Sequence, residues 1–368
     1  MPGIRLLEAS DIEQVASLWQ KCFRKSTARP SPALQKYFFD VFLDGPWYRP
    51  EYRPLVNIAA DGAITGFLGR MHRTMQFRGR VINCAVASQL MVDPDRAQPF
   101  CAFHLLRAFH AGPHDLAYSD GATTVAWRLW ERCGGQACHM LSMEWSRPLR
   151  PAQAFFERFC QSEHVGSIAR VLQPCSGFFD AVAVRTMPRI YHKPRRRTHW
   201  SPATAADLLP LMRRASVQVA LSPHYTDETL TWLLARLAES RSFGKLRAQV
   251  VHDAGGEPVG WFIYYARRGR RAYVLQVGAL PTEGSRVISC LFRDAWEQDC
   301  SALVGQFDPQ LLGDLSVNHC RFHCDGVGVL MQSPDPEITL ALHRGDALVS
   351  RLDGEWWMRF GIDRQTDW

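Results

Sequence analysis

The chain has 368 residues, 46% of them apolar and 21% charged, with 43 Lys and Arg against 36 Asp and Glu and a formal charge of +7. That is roughly two domains' worth at about 150 residues each, with the balance of an ordinary globular protein. No apolar run approaches the roughly 18 residues of a membrane span, and the opening MPGIRLLEASD lacks an apolar signal core, so neither a span nor export is expected. Eleven scattered cysteines, an odd number, fit a reducing cytoplasm better than a disulfide framework.

The first element is a short extended piece, IRLL, leading into a helix whose Ile12, Val15, Trp19 and Phe23 share one face, with Ser10 and Glu13 spaced as a capping box. After a long helical segment, a glycine-containing turn in DGAITGFLGRMHRT (61–74) opens a strand with Gly66 near its start. The next strand, VINCAVASQLMV (81–92), breaks at Asp93-Pro94, and an apolar run restarts at helical spacing with Phe100, Phe103 and Leu106. Strand, tight turn and helix N-terminus in that order make a place where main-chain N–H groups can hold a phosphate, yet this turn contains no glycine. Beyond it come DLAYSDG, ending a strand with Asp120, the helix in ATTVAWRLWERCGG (122–135), and MLSMEWSRP, which carries Glu144.

The Pro- and Arg-rich stretch 185–200 interrupts the pattern, which then recurs. HWSPATAADLLPLMRRA repeats the extended piece and the small-residue–Asp helix start, with Asp207 in the place of Asp11. AGGEPVGWFIYYARR (254–268) repeats the glycine turn and strand, with Gly260 in the place of Gly66, and AYVLQVGAL repeats the next strand. Each copy reads β-α-(long helical segment)-β-β-β-α-β, a mixed α/β class with antiparallel meanders. The expected division is a first domain at 1–184, a linker at 185–198 and a second domain at 199–368.

Two features stand outside the repeat. His319, Cys320, His323 and Cys324 cluster in NHCRFHCDG, but no second ligand pair accompanies them, so buried thiols beside imidazoles are expected and no metal site. The basic runs Lys193–Arg197 and Arg267–Arg271 read as a solvated connector and a hairpin tip. Neither is interleaved with aromatics, which argues against nucleic acid, while the charge excess favours an anionic ligand such as a nucleotide phosphate or an acidic peptide.

In order and spacing these elements resemble the GNAT (GCN5-related N-acetyltransferase) superfamily of acyl-CoA-dependent N-acyltransferases. Val92, Asp93 and Pro94 match the family's central loop, as do Leu105 and Leu106, whereas Gln98, Phe100 and Ala102 stand at its glycine positions. Ala126, Leu129, Glu131 and Gly134 match its second motif, with Thr123 for Asn, Trp130 for Tyr and Gly135 for Phe. The resemblance implies two tandem GNAT-like domains, each a mixed, mainly antiparallel central sheet flanked by helices. It implies acyl-CoA (acetyl-CoA or longer) as cosubstrate, no tightly bound cofactor, and an amine-bearing small molecule or peptide Lys or Orn side chain as acceptor.

The implied coenzyme contacts are Met91 and Val92 on the strand, Gln98, Phe100, Cys101, Ala102 and Phe103 at the turn, and Thr123, Trp127 and Trp130 on the following helix. Main-chain N–H groups are the donors, so the cradle is expected to be reshaped by its lost glycines and not abolished. The usual oxyanion donor falls near Met91. The family's base is a carboxylate on the central strands, but strand 83–92 has none; Asp120, Glu144 and a water chain at Ser88 and Gln89 are the candidates. Trp130 replaces the family's tyrosine acid, leaving the departing thiolate to take its proton from water. The second copy's LQVGALPTEGSRVISCLF offers Gly278 and Gly284 but lacks the motif, so it is not expected to bind coenzyme. Trp127, Trp130, Trp356, Trp357 and AFFERF read as core, with an acyl tunnel as the alternative. Two other functions stay open at this point: a Fem-type aminoacyl transferase using charged tRNA, against which no coiled-coil heptads appear, and a non-catalytic module of the same fold. Oligomeric state is not legible.

Overall fold

A computed structural model describes residues 3–96, 98–159, 180, 182, 185–186, 199–240, 242–324 and 328–358. Lys193–Arg197 and most of the expected linker lie outside the described residues.

The first half runs β1 (Gly3–Leu6), α1 (Ile12–Arg24), α2 (Pro32–Phe42), β2 (Leu55–Ile58), β3 (Ile64–Phe77), β4 (Arg80–Val92), α3 (Cys101–His110), β5 (Leu116–Ala122), α4 (Thr124–Arg132), β6 (Gln136–Ala137), β7 (Glu144–Pro148) and α5 (Pro151–Phe159). The second half runs β8 (His199–Pro202), α6 (Ala205–Ser216), β9 (Leu221–Pro223), α7 (Asp227–Glu239), β10 (Lys245–His252), β11 (Pro258–Ala266), β12 (Arg271–Ala279), α8 (Gly284–Glu297), β13 (Ala302–Gln306), α9 (Leu312–Val317), β14 (Arg321–His323), β15 (Gly328–Gln332) and α10 (Pro336–Arg344). The order expected from the sequence recurs in both.

The strands form two sheets. The first is ordered β1-β2-β3-β4-β5-β15-β6, with β9 also on β3, and the second β14-β7-β13-β12-β11-β10-β8. Each contains one parallel pair, β4 with β5 and β12 with β13. The sheets exchange strands across the middle of the sequence: β15 comes from the second half to pair β5 and β6, and β7 from the first half pairs β13. The division 1–184 and 199–368 thus follows the sequence repeat, while the hydrogen-bonded sheets cross it.

Helices α1, α2, α6 and α7 bury their apolar faces in one continuous core that covers the facing sides of both sheets, from Phe38 and Phe67 to Leu230 and Trp261. On the outer sides, α3 and α4 cover the first sheet and α8 the second. The repeated strand glycine has a packing cause. A side chain at Gly66 would meet Cys101 Sγ at 2.5 Å and Leu105 at 2.9 Å, and one at Gly260 would strike Val287 of α8, so each outer helix lies directly on its strand.

The entry to α1 differs from the expectation. A 3-10 turn at Ala9–Asp11 precedes it, and Asp11, held by Arg5 at 2.6 and 2.8 Å, accepts from the Glu8 N–H at 2.8 Å. Ser10 and Glu13 form no box, because Asp11 serves that turn and Glu13 pairs with Arg29 at 3.0 Å. Among the described residues, no helix is long and apolar enough to cross a membrane, and no three His, Cys, Asp or Glu side chains converge as metal ligands.

Candidate active site

The site begins where β4 and β5 part. Parallel pairing joins Cys84–Val86 to Leu116–Tyr118 and then stops, while β5 continues along β15 on its other side. On β4 the register against β3 slips between Phe67–Met91 and Gly69–Ser88, so one extra residue is inserted. Gln89 sits there with φ +48°, the left-handed region that a non-glycine residue rarely adopts. Such a bulge turns a main-chain N–H out of the ladder.

A returning segment of the chain enters this splay. The Glu355 carboxylate accepts from the Gln89 N–H at 3.2 Å through Oε2 and from the Ser119 hydroxyl at 2.5 Å through Oε1, spanning the gap between the parted strands. Gln89 Nε2 donates to the Met358 carbonyl at 3.0 Å. Asp120 Oδ1 accepts from the main-chain N–H groups of Glu355 at 2.6 Å and Trp356 at 3.2 Å, which fixes the turn that presents Glu355. Gly354 lies so close to the Asp120 carboxyl that no side chain fits there. Burial, with the Glu355 charge beside it, pushes the Asp120 carboxyl up to about 7. The Arg351 guanidinium stacks over Trp356 at 4.6 Å.

The rim of the splay is the turn from β4 into α3. Lys21 pairs with Asp93 at 2.6 Å and Asp95 at 2.9 Å, matching the acidic charge of the turn. Asp93 also accepts from the Asp95 N–H at 2.9 Å, closing the turn locally. Phe100 takes the left-handed conformation, φ +63°, just before the helix. Cys101 N–H is used by the Gln98 carbonyl at 3.2 Å; among the described residues, the N–H groups of Phe100, Ala102 and Phe103 have no acceptor. Three main-chain donors at the positive end of a helix make a place where an anion can be held. Phe100 is 75% exposed, a bulky edge where a glycine would leave the approach open.

Solved structures with this architecture are known. A probable N-acyltransferase of otherwise unknown function from Enterococcus faecalis is similar over 90% of this chain and 72% of its own, at 10% identity and a TM-score of 0.57. A GCN5-related N-acetyltransferase from Anabaena variabilis is similar over 90% and 73%, at 10% identity and a TM-score of 0.59. The N-myristoyltransferase of Saccharomyces cerevisiae, solved with myristoyl-CoA and inhibitors, is similar over 90% and 80%, at 13% identity and a TM-score of 0.50. This chain has the GNAT fold. No protein-family model and no curated protein matches its sequence.

Within the GNAT fold the expected residues fall into three groups. Val92, Gln98, Phe100, Cys101, Ala102 and Phe103 gather at the rim, with Cys101 turned inward against Gly66. Thr123 caps α4 through the Ala126 N–H at 3.4 Å, and Trp127 donates to Glu131 at 2.8 Å. Met91 lies in the regular ladder opposite Phe67; the N–H turned into the splay belongs to Gln89.

Trp130 and Glu144 are placed elsewhere. Trp130 is buried, donates its indole N–H to the Met331 carbonyl at 3.0 Å and packs on Phe109 and His110, so it is wall and not splay lining. Glu144 stands on β7 in the second sheet, its charge matched by the buried Arg351. Ser88 Oγ is buried on the splay strand with no partner among the described residues. Sequence reasoning missed Glu355. The string RLDGEWW carries one signal, a glycine beside an acid amid tryptophans, and nothing local says where it docks.

Proposed function

We propose that this protein is an acyl-CoA-dependent N-acyltransferase that moves an acetyl or longer acyl group to a primary amine, on a small molecule or on a Lys or Orn side chain. The first half supplies the parted strands and the helix start, and the second half, as the other member of a tandem pair, returns Glu355 to them. A cytoplasmic setting, drawn from the scattered cysteines, belongs to the same reading. The observation that carries it is the Glu355 carboxylate held across the splay, in a cleft whose rim offers unpartnered N–H groups at the start of α3.

In this reading Ala102 and Phe103 N–H groups hold the pyrophosphate of the cosubstrate, and Lys21 offsets the acids of the turn. Glu355 accepts the proton that the acceptor nitrogen loses as it attacks the thioester carbonyl. The C–N bond forms, the C–S bond breaks, and the thiolate leaves. A thiol titrates at about 8.5, so that thiolate needs no dedicated acid and takes its proton from solvent. Asp120 is a positioning residue that holds the Glu355 turn. Sharing the corner with Glu355, it stays protonated to about 7, which keeps two adjacent charges from repelling.

The test is to incubate the protein with candidate amines and a panel of acyl-CoAs from acetyl to long-chain. The expected result is the mass of one acyl group on an amine, with an equal amount of free coenzyme thiol. Absence of both products for every pair contradicts the proposal.

A further inference from the structure

The second sheet has a splay of its own. Strands β12 and β13 pair in parallel from Arg271–Val274 to Ala302–Gly305 and then separate. Between them and the start of α8 lies a cavity of about 180 Å³. Its walls include Trp261, Val277, Leu311 and Leu348, and two carboxylates from different elements, Asp308 and Asp314, face into it. Among the described residues no Lys, Arg or His lines it. Neither carboxylate has a cationic partner in any ion pair among those residues. Among the described residues, the Asp308 carboxyl accepts from the Gln310 N–H alone, at 2.9 Å. Asp314 rests against Gly284, the first residue of α8, where the first half presents free N–H groups. Burial pushes the Asp308 carboxyl up to about 6 and raises Asp314.

The two clefts therefore have opposite electrostatics. A negative group at the α8 start would meet the Asp314 charge, so a pyrophosphate is repelled where the first cleft attracts it. Two carboxylates partly withdrawn from water without a counter-ion are costly, and a cation that enters regains part of that energy. A cavity of roughly 150 Å³ holds a benzene ring, so this one admits a ring-sized body with a short amino arm.

The geometry points to the second splay as a binding site for a small organic ammonium, a compact apolar body carrying one protonated amine. It stands apart from the acyl-transfer reading, because binding is measured without coenzyme. Two sources have this chemistry, the acceptor amine of the reaction and a separate effector. The inner wall links the site to the first cleft. Two positions after Leu348, Ser350 accepts from Gln276 at 3.1 Å and donates at 2.7 Å to Asp353, two residues before Glu355.

The experiment is a calorimetric titration of the full chain at about pH 7.5 with benzylamine, benzyl alcohol and phenylacetate as probes. Benzylamine should bind at least tenfold more tightly than benzyl alcohol, and phenylacetate should not bind. D308N should weaken benzylamine at least fivefold, and D314N, at the half-exposed mouth, gives the same test if D308N fails to fold. Equal affinity for the alcohol, or unchanged benzylamine affinity in the folded variants, overturns the site. With acetyl-CoA added, acetylated benzylamine whose KM follows the measured affinity assigns the site to the acceptor. Altered turnover of another amine, with benzylamine unreacted, assigns it to an effector. Either result supports the site itself.

Discussion

Asp120 and Glu355 are 235 positions apart in sequence and meet at one corner of the first splay, Asp120 buried and Glu355 half-buried. A carboxyl whose folded pKa lies above its unfolded value of 3.8 favours the fold only while neutral. Asp120 therefore removes stability as pH rises from about 4 to about 7, and no more above that. Asp120→Asn keeps the Oδ1 acceptor for Glu355 and Trp356 and cannot ionise. Its stability advantage over the native protein should grow across that window to a few kcal/mol, roughly 1.4 per pKa unit, as read by urea unfolding at several pH values. An advantage that does not change with pH contradicts the buried, neutral Asp120. For chemistry, Glu355→Gln should lower turnover by about 10² or more with coenzyme affinity unchanged, the scale of a lost general base. Full turnover in that variant removes Glu355 from the mechanism. Sequence reading singled out Asp120 as a candidate base because a strand-end acid is visible locally; here its Oδ1 holds the Glu355 turn. It did not find Glu355, whose role depends on a turn that docks from the far end of the chain.

At the scale of elements, the β4–α3 turn was legible because each of its signals is local: Val92 ending a strand, Asp93-Pro94 breaking it, Phe100, Phe103 and Leu106 restarting at helical spacing. The missing glycine has a structural answer in Phe100, which takes the left-handed conformation itself and leaves the following donors in place. Ala102→Asp separates helix formation from ligand binding by sign. An acid in the first turn of α3 favours the helix by roughly 0.3–1 kcal/mol, yet it repels a pyrophosphate. Thermal stability should hold or rise slightly while acetyl-CoA affinity falls at least tenfold; unchanged affinity by calorimetry moves the coenzyme away from this helix. Gly66→Ala sets a methyl group against Cys101 and Leu105, and overpacking of that kind costs about 1–3 kcal/mol. A fully stable Gly66→Ala protein would show that α3 does not rest on β3 as described. The Ser10–Glu13 box failed for a complementary reason: spacing alone does not reveal that Asp11, already held by Arg5, serves the turn.

Across the whole molecule, the repeat was legible and the strand exchange was not. Gly66 and Gly260 announce equivalent strands, because each must let a helix lie on its backbone. The pairing of β15 with β5, or of β7 with β13, joins segments more than 140 residues apart, and no local pattern encodes it. The exchange makes the halves one unit, and the segment from Ala347 to Met358 runs along both clefts, with Leu348 in the second and Glu355 in the first. The halves also differ in charge at the matching helix starts: open N–H groups at α3, the Asp314 carboxylate at α8. Calorimetric titration of the native chain with acetyl-CoA tests that asymmetry. One site per chain is expected, and it should weaken in Ala102→Asp. Two equivalent sites per chain, or a single site indifferent to Ala102→Asp, would contradict it.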